Sequence, residues 1–365
     1  MKKIWQSVIQ IILAASAGFV IGFILASSFP KQYLLASILI FIVSLFFIFP
    51  LAIIIHESGH LVMGLLTGYR FSSFRIGKIL ILKQNNHLKI KKFSISGTGG
   101  QCLLIPPSYR SNFPFFFYNA GGGIFNLLTA ILVVVLINVF NLNYVIKIIV
   151  ITLGIVNGYL GLINLIPLII SLPNDGYNIL SIIKDKESRY CFYAQLMISY
   201  LQTNNVRFQD MDDSLFEMPA NANLNNPLNQ FVLVAQIDRL QEQLKFDEAK
   251  ILIEKILNEC KLTDYYRNSL NSEYLFYLLM ENANSSKVND LYYEIEKFLK
   301  QSCKTNLSCQ RTLYAYQLLA VKNYQEAQNY LNLFNQTIKT YPFTTIIETE
   351  LKIIELIKEK YHTSF

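Results

Sequence analysis

The chain has 365 residues, of which 52% are hydrophobic and 13% aromatic, while only 16% are charged against a usual quarter. That balance excludes an ordinary soluble fold, a disordered or collagen-like chain and a nucleic-acid-binding tail. The net charge of +7 is unevenly placed: residues 1–184 hold 13 Lys or Arg and two acids, Glu57 and Asp175, whereas residues 185–365 hold 19 basic and 23 acidic residues, so the halves stand at +11 and −4.

Uncharged stretches run from Ile4 to Pro30, Gln32 to Ile55, Ser111 to Ile146 and Ile148 to Asn174. Each exceeds the roughly 20 residues that a helix needs to cross a bilayer core. They predict four spans, at about 4–28, 33–67, 114–140 and 144–166. Met1-Lys2-Lys3 could open a signal peptide, but the apolar run behind it is longer than the roughly 7–15 residues of such a signal, so it reads as a retained span. Within it Ala14, Gly18, Gly22 and Ala26 recur every four residues, either a face for close helix approach or the ordinary small-residue content of membrane helices. Span two contains Pro50, which predicts a kink or a division into two helices. Its 35 residues would extend about 50 Å, more than one straight crossing requires.

From Arg70 to Arg110 there are eight Lys or Arg and no acid. The positive-inside rule assigns this segment and the N-terminus to the cytoplasm, and four spans return the second half to the same side, giving a multi-pass cell-membrane protein with both termini cytoplasmic. Two β-prone runs, Ile79–Lys83 and Leu88–Ile95, flank Asn85-Asn86 and predict a hairpin within 74–95, with His87 in its turn and Gly97-Thr-Gly-Gly100 breaking regular structure afterwards. The same charge would also suit a seat on anionic lipid headgroups. Beyond span four, Leu168–Gly176 is apolar, short and interrupted by Pro173, as in a re-entrant or interfacial piece. A helix is expected to resume at Tyr177–Lys184.

Residues 188–365 read as amphipathic helices with a polar break at Pro219–Asn229. An offset of 78 residues lays Phe246 over Tyr324 and Glu248-Ala249 over Glu326-Ala327, with a fainter copy at Leu291–Leu299. Such a period suggests stacked helical hairpins that resemble degenerate tetratricopeptide repeats, the alternative being an unrelated helical bundle. The five cysteines show no Cys-x-x-Cys pair and an odd count, which favours reduced thiols.

Span two carries His56-Glu57-Ser58-Gly59-His60, an H-E-x-x-H pattern on a helix. Residues four apart share a face, so both imidazoles can reach one metal, with Glu57 one residue round, beside a water that the metal would make acidic. The remaining acid of the first half, Asp175, is the candidate third ligand, or alternatively a helix-capping carboxylate before Gly176. His87 and His362 read as surface residues, and Asn126 and Asn164 as polar groups that could pair membrane helices.

Residues 33–184 resemble the site-2 protease family of intramembrane zinc metalloproteases. The resemblance rests on His56-Glu57-Ser58-Gly59-His60, on Gly122-Gly-Ile-Phe-Asn126 with Gly123 where the family usually has proline, and on Asn164-Leu-Ile-Pro167 followed by Asp175-Gly176 after a longer spacer. It implies that His56, His60 and Asp175 bind one Zn2+ per chain, that Glu57 activates the water, and that Asn164 holds the substrate or the oxyanion. It also implies a membrane-inserted protein or peptide substrate, and a basic hairpin whose edge pairs with an unwound substrate strand.

The expected architecture is therefore an α-helical polytopic membrane protein of about four transmembrane helices with a small membrane-associated β-hairpin, residues 1–184, followed by an all-α, TPR-like soluble domain, 188–365. The second domain is expected to dock a cytoplasmic protein partner. The alternative function is a catalytically inactive membrane scaffold that recruits partners through that domain.

Overall fold

The computed structural model describes residues 31–94, 98–169 and 172–363. The first expected span, 4–28, lies outside the described residues, as does its small-residue stripe. Three described helices are long and apolar enough to cross a membrane: α1 (Leu34–Leu66), α2 (Phe116–Val139) and α3 (Tyr144–Leu165). Their ends follow from local chemistry. Asn143 caps α3 by accepting from the Ile146 N–H, and Gly68, in the left-handed region at φ 92°, follows the last turn of α1. Pro50 sits inside α1, which runs through it as one 33-residue helix.

Four strands lie between α1 and α2: β1 (Arg70–Ile76), β2 (Ile79–Gln84), β3 (His87–Lys92) and β4 (Gly100–Ile105), in the order β3-β2-β1-β4. The expected hairpin is β2–β3, joined by Asn85 and Asn86, both at positive φ as a tight two-residue turn demands. The expectation was otherwise too small. His87 is in β3, paired with Gln84, rather than in the turn, and Gly100 opens a strand instead of ending regular structure. β1, Arg-Phe-Ser-Ser-Phe-Arg-Ile, lacks the usual apolar alternation of a strand because Ser72, Ser73 and Arg75 fill its buried positions.

Past α3, Ile169 and Pro173 form an isolated antiparallel bridge, and helix α4 (Asp175–Lys184) begins two residues earlier than expected. Helices α5 (Glu187–Thr203), α6 (Pro227–Glu242), α7 (Phe246–Glu259), α8 (Asp264–Asn282), α9 (Ser286–Ser302), α10 (Leu307–Ala315, continued by a π-helical turn to Val321), α11 (Tyr324–Thr337) and α12 (Thr344–Thr363) complete the chain.

The chain forms two compact units. One holds the described residues up to Arg70, Gly99–Cys102 and Arg110–Lys184; the other holds Phe71–Thr98, Leu103–Tyr109 and the chain from Asp185 on. The basic hairpin thus belongs with the second unit, not with the one that holds α1, α2 and α3. Phe93 packs edge-on against Tyr341 and Phe343, with ring centroids 5.4 and 5.7 Å apart, and Gln84 donates to the Thr203 carbonyl at 3.0 Å.

Within the second unit the helices pair as hairpins, α6 with α7, α8 with α9 and α10 with α11. Their second helices begin at Phe246, Ser286 and Tyr324, spacings of 40 and 38 residues. Leu244 and Lys322 turn two of these corners with φ of 58° and 61°. Buried Ala249 and Ala327 occupy matching positions, each three residues after the start of its helix.

Candidate metal centre

The backbones of α1 and α2 touch where Gly59 meets Gly121: a methyl group on Gly59 would fall 2.2 Å from the Gly121 carbonyl oxygen. Small residues permit such an approach and larger ones forbid it. The neighbouring Gly122 consequently faces both imidazoles of α1, and a Cβ there would lie 2.5–2.6 Å from ring atoms of His56 and His60.

Each imidazole is held at Nδ1. His60 meets the backbone carbonyl of Tyr118 at 2.7 Å, an oxygen that can only accept, so Nδ1 carries the hydrogen. His56 Nδ1 meets the Asn126 side-chain oxygen at 2.7 Å. The orientation of that amide is fixed in turn, because its nitrogen faces two acceptors, the Ala52 carbonyl at 3.1 Å and Asn157 Oδ1 at 2.7 Å. Neutral imidazoles so arranged present their Nε2 lone pairs to the same point.

The two Nε2 atoms are 3.1 Å apart, and Asp175 Oδ2 lies 3.2 Å from that of His56 and 3.4 Å from that of His60. The carboxylate oxygen is buried with no hydrogen-bond donor. Three acceptors in mutual contact repel one another unless a cation stands among them. Ligand atoms about 2.0–2.1 Å from a tetrahedral ion stand about 3.3–3.4 Å apart, close to these separations. His56, His60 and Asp175 therefore form a group that could hold a metal ion.

Asp175 is delivered by its predecessor. Asn174 accepts from the Tyr177 N–H at 2.9 Å, the capping bond that was an alternative role for Asp175, and from the Leu168 N–H at 3.0 Å. Its amide nitrogen donates to the Ile163 and Ile166 carbonyls at 2.6 and 2.7 Å. One side chain thereby fastens the end of α3 to the start of α4 and leaves the Asp175 carboxylate for the histidines.

Glu57 is buried. Its carboxylate lies against Gly100, where a Cβ would fall 2.5 Å from Oε1. Tyr118 ties α2 to the same strand by donating its hydroxyl to the Cys102 carbonyl at 2.7 Å. Asn164 donates its amide to Leu160 one turn back in α3 at 2.9 Å, as a helix-internal bond. His87 and His362 are exposed.

Tyr118, Asn157 and Asn174 carry no sequence signal that ties them to this arrangement, while Gly122 and Asn126 stand in a motif of the resemblance that assigns neither a contact with the histidines. The nearest general signal is the amide side chains at 126 and 157 in otherwise apolar helices.

No protein-family model matches the chain, and neither the curated proteins nor the solved structures contain a match to it.

Proposed function

We propose that the chain is an intramembrane zinc metalloprotease that hydrolyses peptide bonds in or near the transmembrane segments of membrane-inserted substrates, in the manner of the site-2 proteases it resembles. The observation that carries this reading is the convergence of His56 Nε2, His60 Nε2 and Asp175 Oδ2 within 3.4 Å of one another on helices able to cross a bilayer. Two imidazoles and one carboxylate with a fourth position open suit a catalytic zinc. The ion would supply Lewis acidity toward water and the scissile carbonyl.

The rest falls to the chain's own groups. Glu57 takes the proton of the attacking water and returns it to the nitrogen of the leaving amine. Asn126 and the Tyr118 carbonyl hold the imidazole tautomers, which keeps Nε2 free for metal. A helical substrate shields its peptide bonds and has to be drawn out before attack. β4 is an edge strand that begins at Gly100 against the Glu57 carboxylate, so β4, rather than the β2–β3 hairpin, is the edge on which an extended substrate would pair beside the base. In this reading the helical hairpins of the second unit present a docking surface to a cytoplasmic partner.

Metal analysis of the purified full chain tests the assignment. One zinc per wild-type chain, its loss in His60→Ala and its retention in Glu57→Gln are expected. A different metal in the wild type, or zinc that survives His60→Ala, would contradict it.

A further inference from the structure

The charge of the β2–β3 hairpin has no part in the chemistry above. In the second unit a cavity of about 470 Å3 opens between this hairpin and the helices, with Lys78, Lys92 and Phe93 on one side and Lys304, Thr305 and Tyr341 on the other. Its size is that of a small-molecule site. No carboxylate lines it. Lys245, Lys250, Lys300 and Lys358 each pair with a glutamate. Lys78, Lys92 and Lys304 have no carboxylate partner among the described residues.

The setting holds these charges together. Lys92 is in register opposite Ile79, and the Phe93 N–H donates to the Lys78 carbonyl at 2.9 Å, which keeps both lysines at one end of the hairpin. Phe93 is seated against Tyr341 and Phe343. At the other end the Asn85 N–H donates to Asn204 Oδ1 at 3.1 Å. Segments more than 200 residues apart in sequence thus bring three lysines to the lining of one concavity that no carboxylate shares. Their mutual repulsion is relieved by a multiply charged anion, and Lys binds phosphate as a point charge without demanding a fixed geometry. Phe93 and Tyr341 add an aromatic wall for whatever organic group the phosphate bears.

We propose that this cavity binds a phosphate-bearing anion, held by Lys78, Lys92 and Lys304. The inference does not rest on the protease reading, since it uses none of the residues assigned to the metal centre.

The test uses the full chain in neutral maltoside micelles at constant ionic strength, titrated by calorimetry with inorganic pyrophosphate and, separately, with a short-chain phosphatidylglycerol, short-chain phosphatidylcholine being the control. Saturable binding of at least one anionic probe is expected, weakened about tenfold by each of Lys78→Gln, Lys92→Gln and Lys304→Gln, as the loss of one charged contact implies. The combined Lys255→Gln, Lys287→Gln and Lys297→Gln variant is expected to bind as the wild type does. Binding of pyrophosphate alone would identify a soluble phosphate ester, and binding of phosphatidylglycerol alone a lipid headgroup. Saturable binding of neither probe, or equal weakening in the control variant, would overturn the proposal.

Discussion

His56 gives its Nδ1 hydrogen to the Asn126 side-chain oxygen at 2.7 Å, while Asn126 spends its amide hydrogens on the Ala52 carbonyl and on Asn157. One buried amide therefore sets which nitrogen of the ligand imidazole stays bare. Asn126→Ala should weaken metal affinity about 10–100-fold, the usual effect of removing a group that orients a ligand. Competition with a chromophoric chelator measures this directly. Unchanged affinity would mean that packing alone orients the ring.

Asn174 makes four hydrogen bonds that join α3 to α4. Asn174→Ala should cost roughly 1–3 kcal/mol of local stability. The amides of the first turn of α4 should then exchange hydrogen faster. Asn174→Asp should not restore protection, because it keeps the acceptor but turns a carboxylate toward the Ile163 and Ile166 carbonyls. Full rescue by aspartate would show that capping alone matters.

Gly122→Ala tests the contact between α2 and the imidazoles. Its methyl group would lie 2.5–2.6 Å from ring atoms of both histidines, whereas one at Gly158 would rest 3.6 Å from the Ala130 methyl, an ordinary contact. Gly122→Ala is expected to lose bound metal with helical content intact, and Gly158→Ala to keep it. Equal metal content in the two variants would contradict the packing described for α1 and α2.

In the second unit fully buried Arg311 donates to Glu350 at 2.8 Å and to Glu273 at 2.6 Å, and lies 4.1 Å from the centre of the Phe276 ring. Arg311→Met would strand two carboxylates and should cost about 3–5 kcal/mol. Burial lifts the Glu350 carboxyl above its ordinary 4.5, with Glu273 reinforcing the rise and Arg311 opposing it. A carboxyl raised in the folded state binds its proton more tightly there than in the unfolded chain. Its contribution is complete below 4.5 and is lost as pH climbs through the raised value. Hydrogen-exchange protection of α10 and α12, corrected for intrinsic rates, should fall over that window, and Glu350→Gln should flatten the fall. An identical pH trend in Glu350→Gln would place the titration elsewhere.

His56, Glu57 and His60 were legible in the sequence because their geometry is local to one helix, and Asp175 because the first half has just one other acid. The apolar runs marked α1, α2 and α3 within one or two residues at their ends. The roles of Asn174 and the Tyr118 carbonyl were not legible, since they depend on where the chain returns after a loop and on a backbone atom that any residue would supply. The sheet was half visible. β2 and β3 announce themselves through the Asn85-Asn86 turn, while β1 buries serine and arginine, and β4 starts in a glycine-rich stretch that reads as a break. The helix starts at Phe246 and Tyr324 were legible in the sequence, but the corners before them are turned by Leu244 and Lys322, which carry none of the usual glycine signal for positive φ.

Peptide cleavage dependent on Glu57 is the most direct test of the proposed chemistry. Protein termini would be compared by mass spectrometry in membranes from cells that express the wild type or Glu57→Gln at equal levels, each with its metal content verified. New termini mapping within membrane-spanning segments of other proteins, present with the wild type and absent with Glu57→Gln, are the expected result. The same termini at undiminished abundance in the Glu57→Gln membranes would contradict the assignment of Glu57 as the base.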